Sequence, residues 1–392
     1  ELIWPDILHD AASGEMQPVY GRDQRWQHEI EAPVIIPPSR KDLGRYVIPM
    51  LGLYPARGCP FLCNFCSVIK IAGRKIRSQS IDTTLASLRT AKAAGVRTIM
   101  FTSDNFNKYP EAEALLGAMI DEQLGLEFFV QCDTQIARQE QMVELLAKAG
   151  CFQMFVGAES FNRQTLLAAH KGQNRPETYQ DIVRLCREYG ISSHFSNIIG
   201  FPQNGEQEVH EHLQMLREMD PTWASFYVLC PIPGTEQYDD FLAQGLITEK
   251  NLDRFDTTCL TWRHPSLSGR RMSELLFECY RKFFSLRHAL RNAKNEMSFR
   301  GRGVLGRSAA NMAMSLFSRY CAWRRTHPMS GGIKRVQLDG VDDFLSLRRE
   351  AFGFELVPLP QSLQLPAAEI QLTPRSLTDQ VVRERKIGAD CK

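Results

Sequence analysis

A rhythm that begins near residue 48 constrains this chain most. Short apolar runs alternate with amphipathic stretches that end in glycine. The runs fall at 47–54, 98–102, 127–131, 152–156, 192–199 and 223–229. Between them, Ile81, Leu85, Leu88 and Ala91 sit at helical spacing and the pattern stops at Gly95; others stop at Gly125, Gly150 and Gly190, where a left-handed cap favours glycine. Pro176 suits a first helical turn. Strand starts near 97, 127, 152, 191 and 223 are 30, 25, 39 and 32 residues apart, one βα unit per step. The runs are near-continuously apolar, as expected of strands in a helix-covered parallel sheet. The expected fold class is α/β. Six strands with right-handed crossovers would roll into a partial (β/α)6 TIM-like barrel, with a doubly wound open sheet as the competing architecture. Either places functional side chains at the carboxyl ends of the strands.

The flanks break this rhythm. Residues 1–46, with Trp4, Trp26 and Pro33, read as an N-terminal extension. Residues 47–235 form the barrel, and 236–392 a basic, mostly helical C-terminal region with an irregular, proline-bearing tail. Within it, 272–294 reads as one long helix with Leu275, Leu276, Cys279, Phe283, Leu286 and Leu290 on an apolar stripe. Between Arg281 and Arg325 stand eleven Lys or Arg and one acid, Glu296, a local charge of about +10 in a chain whose net charge is +2. That small net charge gives no global field for nucleic acid, and a 43% hydrophobic, 23% charged composition excludes disorder as the main state. No run of eighteen apolar residues and no opening signal-like segment occurs, and eleven cysteines is an odd number. A reducing, cytoplasmic location is therefore expected.

One cysteine cluster is tight: Arg57-Gly58-Cys59-Pro60-Phe61-Leu62-Cys63-Asn64-Phe65-Cys66, just after the first strand. Three thiolates at C-x3-C-x2-C spacing can hold three irons of a four-iron four-sulfur cluster and leave the fourth iron open to a ligand. A structural zinc site is the alternative. It would need a fourth ligand, which His170 or His194 would supply only through fold closure.

With this motif the chain resembles the radical S-adenosylmethionine (SAM) enzymes, and the resemblance runs through about residues 45–235. It implies Cys59, Cys63 and Cys66 as ligands of a [4Fe-4S] cluster, and Phe65 as the aromatic residue near the adenine. Phe101-Thr102-Ser103-Asp104-Asn105-Phe106 resembles the segment that contacts the methionyl amino group, which implicates Ser103, Asp104 and Asn105. Gly157-Ala158-Glu159-Ser160 resembles the segment at the ribose or methionyl end, implicating Glu159 and Ser160. Asn197-Ile198-Ile199-Gly200-Phe201-Pro202 resembles the segment passing the adenine, implicating Asn197 and Gly200. Read one by one, these residues also serve as helix caps, turns or surface pairs. The implied chemistry is one-electron reduction of SAM, cleavage of a carbon–sulfur bond, and radical modification or group transfer on a small-molecule, lipid or natural-product substrate, with the cofactors carrying the hard steps. Cys132, His194 and Cys230 lie on strands or their ends and are the candidate catalytic residues if they face the barrel interior.

The segment Trp4-Pro5-Asp6-Ile7-Leu8-His9-Asp10 resembles the connector of cobalamin-binding members. Forty-six residues cannot build a doubly wound domain, and no D-x-H-x-x-G occurs, so a member working without cobalamin, or a fragment, is expected. A cobalamin-dependent methyltransferase is the alternative, and a non-enzymatic iron–sulfur or zinc protein binding nucleic acid a remote one. The partners expected are an anionic small molecule or lipid and a flavodoxin- or ferredoxin-type reductant. Nucleic acid is not among them. The basic segment suits a peripheral membrane contact or a substrate entrance.

Overall fold

A computed structural model describes residues 3–17, 20, 35, 38–46, 49–249, 254–297 and 304–328. By compactness, residues 26–341 (with Glu1) form one unit, and 2–25 with 342–392 another. In the second unit the described helix is α1 (Trp4–Ser13), which carries Pro5 in its first turn and ends on left-handed Gly14.

The large unit opens with α2 (Arg40–Leu43) and β1 (Met50–Leu53), followed by an antiparallel pair, β2 (Ala56–Arg57) and β3 (Arg77–Ser78), with the short α3 (Val68–Ile71) between them. Then βα units follow: α4 (Ile81–Ala93), β4 (Thr98–Phe101), α5 (Ala112–Asp121), β5 (Glu127–Cys132), α6 (Glu140–Ala149), β6 (Cys151–Glu159), α7 (Arg163–Ala168), α8 (Tyr179–Tyr189), β7 (Ser192–Ile199), α9 (Glu206–Met219) and β8 (Trp223–Val228). After β8 come α10 (Glu236–Ala243), α11 (Gly269–Phe283), α12 (Leu286–Met297) and α13 (Val304–Trp323).

The main sheet runs β1-β4-β5-β6-β7-β8, parallel throughout. This order decides between the two expected architectures. A doubly wound sheet reverses its strand order at a switch point; here each new strand adds on the same side, as in a six-stranded arc of a TIM-like barrel. Alternation along the strands separates two faces. Phe128, Val130, Met154, Val156, Phe195 and Phe226 enter the main hydrophobic core beneath the helices. On the other face, Gln153 donates to His194 Nδ1 (2.7 Å), and His194 Nε2 lies 2.7 Å from Ser225 Oγ, a polar row across three strands. Since the Gln153 amide donates to Nδ1, the proton of His194 sits on Nε2 and points to Ser225.

The single long helix expected over 272–294 is two helices. Backbone hydrogen bonding leaves the helical pattern at Phe284-Ser285, where Ser285 N donates to Phe283 O (2.8 Å) and the Ser285 hydroxyl accepts from His288 N (3.2 Å). After the break, α12 turns a polar face inward. His288, Asn292 and Glu296 are buried, and Leu286 and Leu290, expected on the apolar stripe, are exposed. Asn292 Nδ2 donates to Thr222 O (2.7 Å), and the Ser192 hydroxyl donates to Glu296 Oε1 (3.0 Å), so this helix reads the amino ends of β7 and β8 through polar groups. Next to it α13 runs along the edge strand: Trp223 Nε1 donates to Asn311 Oδ1 (3.0 Å), and His327, just beyond α13, stacks on Tyr227. Helices α11–α13 thus belong to the same compact unit as the sheet.

Candidate active site

The three cysteines lie on the long connection between β2 and β3, above the carboxyl end of β1. Gly58 starts it at φ +106°, and a Cβ there would stand 2.4 Å from Lys75 O, so both conformation and space require glycine. Cys59 N donates to Gly73 O (3.1 Å) and closes the loop across its base. Two side chains from the end of β4 hold it from below: Ser103 Oγ accepts from Ala56 N (3.2 Å) and Asp104 Oδ2 from Gly58 N (2.7 Å). Asn64 fixes the middle of the loop, donating from N to Ala169 O (3.2 Å) and from Nδ2 to Ala168 O (3.1 Å) while its carbonyl accepts from Gln237 N (3.0 Å).

All three thiols are free; Cys63 is buried, Cys59 and Cys66 half-buried. Burial raises Cys59 and pushes Cys66 up to about 11, so these two thiols, when bare, would stay protonated. Donors nevertheless gather around the sulfurs. Asn105 Nδ2 stands 3.9 Å from Cys59 Sγ and Gln173 Nε2 3.5 Å from Cys63 Sγ, with the Lys171 ammonium acting on Cys59 and Cys66. Such surroundings suit thiolates that have surrendered their protons to metal. Among the described residues no three His, Cys, Asp or Glu converge as a single ion would need. A four-iron cluster takes one thiolate per iron and so asks for thiols around a perimeter. Neither histidine proposed to complete a zinc site joins them: His170 Nδ1 lies 3.6 Å from Glu236, and His194 belongs to the polar row on the sheet. The donor set therefore fits a [4Fe-4S] cluster held by Cys59, Cys63 and Cys66.

Beside the loop sits a buried ion pair. Lys171 Nζ donates to Glu159 Oε1 (3.0 Å), and the Ser196 hydroxyl donates to Glu159 Oε2 (3.0 Å). Glu159 is reached through a register shift after Gly157 and holds φ +65°, a conformation rare for a non-glycine residue. Gly157 makes room: a Cβ would lie 2.9 Å from Glu159 Oε1 and 3.1 Å from Lys171 Nζ. Burial opposes the charge on Lys171, but Glu159, joined by the Cys63 and Cys66 sulfurs when these are ionised, outweighs it and holds the ammonium above the ordinary lysine value. The ammonium also stands 5.7 Å from the Phe65 ring centroid, and Phe65 meets Phe201 edge-on at 6.3 Å.

A third element is a carboxamide–carboxylate knot across the ends of β4 and β5. Asn105 Nδ2 donates to Asp133 Oδ2 (2.9 Å), and Asp133 N donates to both Asn105 Oδ1 (3.1 Å) and Asn107 Oδ1 (3.0 Å). Lys108 Nζ stands 3.7 Å from the same carboxylate. The sequence reading missed Lys171 and Asp133. Lys171 lies in an irregular loop with no periodic signal. Asp133 was overlooked as the neighbour of Cys132, though a carboxylate just past a barrel strand is itself a rim signal.

The remaining expected residues are spread more widely. Ser160 is buried, its hydroxyl accepting from Asn162 N (3.0 Å) in a turn. Asn197 faces the helices: it donates to Phe195 O (2.9 Å) and Ser225 O (3.2 Å), and its Oδ1 lies 2.9 Å from His212 Nε2 on α9. Gly200, at φ +78°, leaves room for Met272, whose Cε would be 2.4 Å from a Cβ. Cys132 does not line the concave face; with Phe128 and Val130 it points into the core, where burial raises its thiol strongly. Cys230 is buried past the end of β8 with Sγ 3.8 Å from Thr261 Oγ1, and burial pushes it up to about 11. Of the three catalytic candidates, His194 is the one on the concave face, and burial pushes it down to about 3, so it is neutral.

Residues 53–216 match the Radical SAM superfamily. The chain is 25% identical over 239 residues to an uncharacterized methyltransferase of Pyrococcus horikoshii, covering 60% of this chain and 52% of that one. It is 24% identical over 294 residues to bacteriochlorophyllide d C-12(1)-methyltransferase of Chlorobaculum tepidum, covering 72% and 62%. The structure of the radical SAM methyltransferase TsrM from Kitasatospora setae, with cobalamin and a [4Fe-4S] cluster bound, aligns at a TM-score of 0.47 and 22% identity over 50% of this chain and 37% of that one. Residues 53–216 of this chain thus carry a Radical SAM domain, and the chain is similar to methyltransferases. It spans roughly half to three fifths of the length of the two curated relatives. The family implies a [4Fe-4S] cluster and SAM as cofactors.

Proposed function

We propose that this chain carries the catalytic barrel of a radical SAM enzyme that transfers a group, a methyl group in the first instance, to an apolar or amphiphilic small molecule. The observation that carries the reading is the cysteine loop fastened on one side to Ser103 and Asp104 and flanked on the other by the Lys171–Glu159 pair. Cys59, Cys63 and Cys66 would hold the cluster, which when bound supplies one electron and an open iron for SAM. Lys171 and Glu159 present opposite charges side by side next to the cysteine loop, a match for the zwitterionic amino-acid end of SAM. Phe65 offers a flat apolar face for the adenine, and Phe201 holds its ring edge-on. Asp133 fixes Asn105 so that its amide reaches the Cys59 sulfur.

Methyl transfer is favoured by the names of the two curated relatives, one of which acts on a bacteriochlorophyllide. We assign no described residue to cobalamin. The experiment is anaerobic incubation of reduced protein with SAM and a panel of apolar acceptors, read by mass spectrometry. Substrate-free formation of 5′-deoxyadenosine supports the reading, and S-adenosylhomocysteine formed together with a mass gain of one methyl group on a panel member identifies the acceptor. A protein that carries iron yet leaves SAM intact in every arm contradicts it. A corrinoid absorbance in the purified protein would establish the cobalamin-dependent form.

A further inference from the structure

Helices α12 and α13 are inverted relative to ordinary surface helices. On α13 the inward face is small and polar, with Ser308, Asn311, Ser315 and Ser318 buried. Its outward stripe carries Leu305, Leu316, Phe317, Tyr320 and Trp323, the last 67% exposed. On α12, Leu286, Leu290 and Met297 point outward, Leu290 at 64% exposure, and His288, Asn292 and Glu296 point inward. A surface helix normally spends its apolar residues on the core. Two adjacent helices that both do the reverse mark a surface made to be covered.

Charge says by what. Lys282, Arg287, Lys294, Arg319, Arg324 and Arg325 are exposed on this segment, and its one acid among the described residues, Glu296, is buried. A symmetric contact with a second copy would set this patch against itself, bases facing bases. Nucleic acid would meet the bases but leave Leu286, Leu290 and Leu305 uncovered. Aliphatic residues, interfacial Tyr and Trp, and flanking Lys and Arg together suit the headgroup boundary of an anionic bilayer.

An independent feature lies next to it. Between α9 and the α11–α12 corner is a cavity of about 660 Å³, lined among others by Arg217, Lys282, Arg287 and Arg291 against one acid, Glu218. Arg291 is paired with Asp220 and Lys282 with Glu278, whereas Arg217 and Arg287 form no ion pair among the described residues. The first turn of α12 forms one wall, bringing the cavity next to exposed Leu286. We propose that the α12–α13 face docks on an anionic lipid membrane and that this cavity seats a lipid phosphate headgroup. No helix among the described residues is long and apolar enough to cross a membrane, and the contact proposed is with the membrane surface. The proposal does not depend on the radical reading of the barrel.

The test is sedimentation of the full chain with phosphatidylcholine vesicles, with and without phosphatidylglycerol, at low and high salt. Two double variants accompany it, Arg217→Glu with Arg287→Glu, and Leu290→Ser with Phe317→Ser. Wild-type protein should sediment with the anionic vesicles only, less at high salt, and with a blue shift in fluorescence that Trp323→Phe removes. Each double variant should lose about tenfold or more in vesicle affinity, with unchanged circular dichroism and iron content. Absence of binding to anionic vesicles, or equal binding to phosphatidylcholine alone, overturns the proposal. So does a self-association that Leu290→Ser with Phe317→Ser abolishes without affecting vesicles. Thermal stabilisation by inorganic phosphate without vesicle binding would assign the cavity to a soluble phosphate compound and equally overturn it.

Discussion

Asp104 Oδ2 accepts the backbone N–H of Gly58 at 2.7 Å, tying the end of β4 to the residue immediately before the first cysteine of the cluster motif. The sequence pattern had implicated Asp104 in holding the amino group of SAM. Its place in the fold makes it a positioning residue for the cysteine loop as well. Asp104→Ala should therefore lower iron incorporation as well as SAM affinity, whereas Asp104→Asn keeps an acceptor and should keep the iron. Iron content of the two reconstituted variants reads this. Full iron in Asp104→Ala would confine the residue to SAM.

Gly58→Ala asks the same question from the other partner. A methyl group there meets Lys75 O in a backbone conformation that disfavours any side chain. The strain is local to the β2–β3 connection, so far-UV circular dichroism should stay native while iron binding falls. Native iron content in Gly58→Ala would show that the loop can re-form around the extra atom.

The Lys171–Glu159 pair allows stability and function to be separated. Lys171→Met leaves a buried carboxylate without its cation and should cost about 3–5 kcal/mol in denaturant unfolding. Replacing both, Lys171→Met with Glu159→Leu, should restore most of that stability, because an apolar pair needs no desolvation. SAM cleavage should stay lost in the stable double variant. If it returns with stability, the pair is structural only.

Burial depresses His194 to about 3 and His212 to about 4, against an ordinary value near 6.5. Over this window the unfolded chain binds the protons that the folded chain refuses. Folding stability therefore falls as pH drops from about 6.5 toward 3, and is unaffected by these groups above about 7. His194→Asn should flatten this acid limb in urea titrations at a series of pH values, with His212 and the likewise depressed His264 and His327 contributing to what remains. An unchanged limb would mean that His194 accepts its proton in the folded state.

Much of the fold was legible because the strands are buried on the helix side and partly covered on the other, leaving mostly apolar runs at a regular βα spacing. The run at 192–199 coincides with β7, and the others differ from the observed strands by a few residues at their ends. Glycine stops at Gly150 and Gly190 are left-handed caps in the structure. Helix α12 was misread because its inward face is polar. Periodicity placed Leu286 and Leu290 on the core stripe, but tertiary hydrogen bonds to Thr222 O and Ser192 turned it over. In the site, the cysteine spacing and the Glu159 segment carried signals that survive in any single sequence. Lys171 did not, since its role arises from a loop that brings it twelve residues back onto Glu159. The direction of Asn197 was equally hidden: parity along β7 is fixed only once His194 and Ser196 are seen on the concave face.

The central claim is that Cys59, Cys63 and Cys66 together hold an iron–sulfur cluster, and the most direct measurement is iron and acid-labile sulfide content after anaerobic reconstitution. Wild-type protein should carry about four irons and four sulfides per chain, with a broad charge-transfer band near about 400 nm. The triple variant with Ala at all three positions should carry essentially none while remaining folded. A cluster retained in the triple variant, or a wild-type protein that binds zinc and no iron, would contradict the account.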